Sequence, residues 1–109
     1  MTDPREQAQF RDAMAAIWTR SRPELLERQA TIACGVPELE RHPDDLRLRE
    51  SMRTEAHKLA GVLGTLGVPS GTDIARAIEE RLDPTAPPPD FAELRRLAVD
   101  LRAVIESRH

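Results

Sequence analysis

The sequence predicts an all-α fold, an antiparallel up-down four-helix bundle with an additional or continuous N-terminal helical segment, on three observations. Ala, Leu, Arg and Glu are abundant, while the 109 residues hold two Phe, one Trp and no Tyr, a composition that favours helix over sheet. Apolar residues recur at helical spacing in successive segments. The connections between those segments are short and marked by Pro, Gly and Asp, which makes neighbouring helices antiparallel. A chain of this length forms a single domain, residues 1–109, and buries about two-thirds of its unfolded surface in one core.

Each element has its own local cause. Asp3 and Pro4 make a helix start, with proline at the first helical position, and Phe10, Met14, Ile17 and Trp18 then recur at helical spacing, giving a first helix of about residues 4–20. Ser21 and Pro23 punctuate it, and Leu25, Leu26, Ile32, Ala33 and Val36 suggest a second helix, bent at the junction. Gly35 and Pro37 end or weaken that helix. PELERHPDDL reads as a connection with one short helical turn. The third helix runs from about residue 43 to residue 66 and closes at Gly67, with Pro69 just beyond. Ser70 with Asp73 starts a fourth, burying Ile74, Ala77, Ile78 and Leu82. DPTAPPPD is a stiff loop, and Asp90 with Glu93 opens the last helix, whose Phe91, Leu94, Leu97, Ala98, Leu101, Val104 and Ile105 form a near-heptad seam.

Composition also excludes function classes. The formal net charge of −3 is mild and the charges are interspersed, so the polybasic footprint of a nucleic-acid binder is missing. Cys34, the only cysteine, rules out an internal disulfide and is expected as a buried small hydrophobe in a reducing compartment. MTDPREQAQF lacks the apolar core of a signal peptide, and no apolar run is long enough to span a bilayer, so the expected setting is cytoplasmic without membrane contact.

The stretch HKLAGVLGTLG, residues 57–67, raises a different question, because glycine costs about 1 kcal/mol relative to alanine inside a helix. At about 100° per residue from His57, Leu48, Met52, Leu59, Leu63 and Leu66 fall roughly between 180° and 240°, a buried stripe. His57 therefore points to solvent. Gly61 and Gly64 lie within about 40° of it and Ala60 is close by, so the strip beyond the histidine is almost bare. An exposed imidazole beside a bare strip suits close approach by another protein surface. The competing explanation is that small residues here serve a frayed helix end or a helix–helix contact.

TEAHKLAGVLGTLGVPSGTDIARAIE resembles the signature of the histidine-containing phosphotransfer (HPt) domain. Ala56, His57, Leu59, Gly61, the small residues leading to Leu66 and Gly67, and the Ile78–Glu79 pair carry the match. The resemblance implies a phosphorelay intermediate in which His57 accepts a phosphoryl group from a phospho-aspartate on a receiver domain and passes it to another receiver. It implies response-regulator receivers and a hybrid histidine kinase as partners, and no cofactor on this chain, with magnesium expected on the receiver. A neutral imidazole keeps its lone pair near neutral pH and needs no activating base. Lys58 and Arg53 are candidate stabilisers of the phosphoryl oxygens, and Ala60, Gly61 and Gly64 are the candidate receiver-docking residues. Many family members have lysine three residues after the histidine, where this sequence has Ala60. Lys58 is the nearest substitute, about 100° round the helix.

Other activities fit less well. Lys58 stands where histidine kinases usually have an acidic residue, and GVLGTLG has neither a GxGxxG pattern after a strand nor a P-loop ending, so autokinase activity is not expected. HExxH is absent, and His42 in a loop and His109 at the terminus are not expected to converge with His57 on a metal. The alternative from another class is a phosphorylation-silent helical adaptor that docks onto a receiver or other signalling protein. A monomer is the expected state, with the N-terminal helix as the element able to mediate pairing.

Overall fold

The computed structural model describes residues 3–108. Among them it forms four helices, α1 (Pro4–Arg41), α2 (Leu46–Thr65), α3 (Pro69–Arg81) and α4 (Phe91–Ser107), and no strand. Each helix has two neighbours: α1 packs on α2 and α4, and α3 packs on the same two. Residue pairs across the interfaces run in opposite senses. Arg28 meets Glu55, Arg49 reaches Leu82 while Thr72 reaches Ala60, and Gln29 reaches Ala98 while Trp18 reaches Arg108. The bundle is therefore up-down and antiparallel, as the short connections require.

The first and second predicted helices are one. α1 runs 38 residues through both Pro23 and Pro37, so the additional N-terminal segment is a continuous part of it. Both prolines lie on the exposed face, where water serves the carbonyls that lose their helical partners. Gly35 does not end the helix. A Cβ there would stand 2.7 Å from Sδ of Met52, so the glycine lets α1 and α2 approach. The predicted PELERHPDDL connection shrinks accordingly to His42–Asp45, and Asp45 caps α2 by accepting from the Leu48 N–H at 3.0 Å.

α2 ends where the glycine pattern placed its end. Gly67 has φ +74°, Val68 N–H donates to the Leu63 carbonyl and Gly67 N–H to that of Gly64, which is a Schellman cap. Pro69 then opens α3 at once. Ser70 is not the cap: Val68 holds that position without a side-chain hydrogen bond, because the chain turns directly from one helix into the next. Gly71, Thr72, Ala75 and Ile78 form the buried face of α3, with Ile74 and Ala77 only half-buried. Arg49 of α2 secures the other end of α3, donating to the carbonyls of Arg81, Leu82 and Asp83, a cation at a helix C-terminus.

The core holds Ile32, Val36, Leu39, Met52, Leu59, Leu63, Ile78, Leu94, Leu101 and Ile105. Cys34 is exposed rather than buried, since it lies on the opposite side of α1 from Ile32 and Val36. His109 lies outside the described residues.

Candidate functional site

The angular reading of α2 holds for Met52, Leu59, Leu63 and Leu66 and for the histidine, while Leu48, expected in the same stripe, is only half-buried. Met52, Leu59 and Leu63 are buried, and the His57 side chain is 74% exposed. It fails for Ala60, which is only 5% exposed. The buried arc of α2 is wider than one stripe because α2 packs on two helices, with α3 covering the side that carries Ala56 and Ala60. Thr72 of α3 donates to the Ala60 carbonyl at 3.3 Å. The expectation that Ala60 belongs to the bare strip is thus corrected.

Gly61 and Gly64 do lie on the exposed face. A Cβ on Gly61 would meet nothing within 4 Å, and one on Gly64 would meet only Thr72 Oγ1 at an ordinary 3.6 Å. Packing inside this chain does not require either glycine.

Glu79, three turns into α3, is the residue whose part the sequence leaves unassigned. Its Oε2 lies 2.7 Å from His57 Nδ1. An ionised carboxylate only accepts hydrogen bonds, so Nδ1 carries the proton and the lone pair of the neutral ring falls on Nε2, on the solvent side. The Ile78–Glu79 pair belongs to the matched signature, but only the antiparallel register of α2 and α3 brings Glu79 level with His57.

His57 stands between two unlike grooves. Towards α3, Glu50, Arg53, Thr54 and Glu79 line a polar hollow of about 250 Å³. Towards α1, Ile17, Leu25, Val62 and Leu66 line a larger one of about 690 Å³, with Lys58, Gly61 and Arg28 at its edge. Three cations therefore border the histidine. Hydrogen bonds that Arg28 donates to Glu55 and then to Glu24 raise it above its ordinary pKa, so it is already engaged. Arg53 makes a long 3.3 Å contact to Glu50, and its Nε is buried with no hydrogen-bond partner. Lys58 is exposed and forms no ion pair among the described residues.

No described group of three or more His, Cys, Asp or Glu side chains converges as a metal site, and no described helix is long and apolar enough to cross a membrane.

The four-helix bundle thus presents the His57 imidazole, held against Glu79, to solvent. The Hpt domain family model matches residues 8–106, and the chain belongs to the Hpt domain family. No curated protein and no solved structure gives a significant match. Hpt domains are phosphotransfer carriers rather than kinases, and they work with receiver domains and kinases in two-component signalling.

Proposed function

We propose that His57 accepts a phosphoryl group from the phospho-aspartate of one receiver domain and donates it to the aspartate of another. The observation that carries this reading is the 2.7 Å His57 Nδ1–Glu79 contact on a side chain that is 74% exposed, an arrangement that favours the tautomer with its lone pair on Nε2. The Nε2 lone pair attacks phosphorus, the phosphorus–oxygen bond of the acyl phosphate breaks, and the aspartate leaves as a carboxylate. The ring becomes a phosphoimidazolium whose Nδ1 proton stays on Nδ1, and the positive charge is offset by the Glu79 carboxylate. In the onward step the same ring leaves as neutral imidazole. No proton has to move in either direction.

Gly61 and Gly64 form the floor that a receiver's active-site rim approaches, and the apolar groove beside α1 takes the rest of its contact surface. Arg53 and Lys58 flank the phosphoryl oxygens from either side, and Arg53 Nε, without a partner in the free protein, has most to gain. The magnesium that neutralises the transferring group belongs to the receiver, and this chain supplies no cofactor of its own. The setting for such a relay is the cytoplasm, with a hybrid histidine kinase upstream.

One observation favours a second reading, a docking adaptor that carries no phosphate. Position 60, where many relatives place a lysine, is an alanine buried under Thr72. Transfer from radiolabelled phospho-receivers separates the two. Acid-labile, alkali-stable label on the wild type and none on His57→Gln, with unchanged melting, is the expected result. Binding of receivers without labelling would establish the adaptor.

A further inference from the structure

The N-terminal part of α1 carries an apolar surface that the relay does not account for. Residues 3–13 are all exposed, beyond the ends of α2 and α4, and Phe10 is 69% exposed. Gln7, Phe10, Met14 and Ile17 follow a 3-4-3 spacing, the stripe of a two-helix seam. With Leu66 and Gly67 the first three border a groove of about 840 Å³, while Ile17 borders the neighbouring groove beside His57. Phe10 lies fifteen residues from Leu25, one of the α1 residues that share a groove with His57, or about 22 Å along the helix. A domain of about 120 residues has a radius of gyration of about 14 Å and an outer radius of about 18 Å. A receiver centred on His57 therefore stops short of Phe10.

The charges in this segment point to its occupant. Arg5, Glu6, Arg11, Asp12 and Arg20 form no ion pair among the described residues, as is also true of Arg47, Arg76 and Arg96, so both signs of charge on this segment are available to a partner. We infer that the overhang is the interface of an antiparallel two-fold homodimer, in which Phe10 of each copy packs beside Met14 of the other, against Leu66 and Gly67. That register sets Gln7 against Ile17, and it brings Glu6 opposite Arg20 twice, once on each side of the two-fold axis. Arg11 meets its own copy on the other flank, a like-charge contact that keeps the dimer weak. Ile17 and Leu66 also border the apolar groove beside His57, so the pairing meets the edge of the surface proposed for the receiver, and the dimer is inferred for the protein free of its receiver.

Sedimentation equilibrium across a concentration series tests the inference, with no receiver present. The wild type is expected to show a reversible monomer–dimer equilibrium. Phe10→Glu should abolish it with melting unchanged, because the exposed Phe10 contributes nothing to the bundle. Glu6→Arg or Arg20→Glu alone should weaken the dimer by about threefold to tenfold, their combination should restore it, and Arg11→Gln should tighten it. A monomer up to about 1 mM, or a dimer indifferent to Phe10→Glu, overturns the proposal. Failure of the double charge reversal to restore pairing overturns the antiparallel register.

Discussion

Gly35 at the α1–α2 interface and Gly61 on the outward face of α2 carry the same intrinsic cost, about 1 kcal/mol each relative to alanine. Their surroundings are opposite. Around Gly35 the atoms of Met52 already fill the space a methyl group would take, and around Gly61 there is nothing within 4 Å. The first glycine is offset by packing within the chain and the second by nothing in the free protein. A helical glycine facing empty space beside His57 is what the proposed approach of a receiver would use.

Substitutions on the two sides should therefore separate stability from transfer. The largest effect is expected from Leu63→Asp, on the buried face, which places a charge where the leucine is fully enclosed. A loss of about 4 kcal/mol or more consumes most of a typical domain's 5–15 kcal/mol, and circular dichroism should show an unfolded or loosened chain. Gly35→Ala follows. Overpacking against Met52 outweighs the gain in helix propensity and should cost about 1–2 kcal/mol net in denaturant melts, with transfer by the folded fraction unaltered.

On the outward face the order reverses. Gly64→Arg should leave helicity and melting close to wild type while slowing labelling by a phospho-receiver, because the side chain rises into the approach path. An unchanged transfer rate would remove the steric role of that strip. The smallest effect belongs to Gly61→Ala, which should stabilise the protein by up to about 1 kcal/mol and raise Tm by about 4–6 °C. A destabilised Gly61→Ala would mean that the open space around it is filled in solution.

The bundle class was legible because periodicity and turn residues are local signals. Leu59, Leu63 and His57 were placed correctly by angle alone, and Gly67 announced its cap. Proline and glycine misled in α1, where Pro23, Gly35 and Pro37 looked like breaks. Whether a breaker breaks depends on what lies across from it: solvent beside the prolines, and Met52 against the glycine. Ala60 was misplaced for a related reason, since one helical wheel has no knowledge of how many neighbours the helix has. Glu79 was visible as part of a signature, but its contact with His57 joins positions 22 apart and comes into being only when α3 folds back along α2.

That fold-back is set by a link of three residues, Leu66–Val68, closed by the Schellman cap and by proline at the head of α3. Its length acts as a ruler. One residue inserted there would break the Val68–Leu63 and Gly67–Gly64 bonds of the cap and shift α3 against α2, carrying the carboxylate of Glu79 away from the imidazole while leaving both helices intact. The Asp83–Asp90 loop at the far end, rich in proline and remote from His57, carries no such constraint. Insertions and deletions within this bundle should thus be tolerated in the second connection and excluded from the first, making loop length itself a mark of which homologous chains retain an oriented histidine.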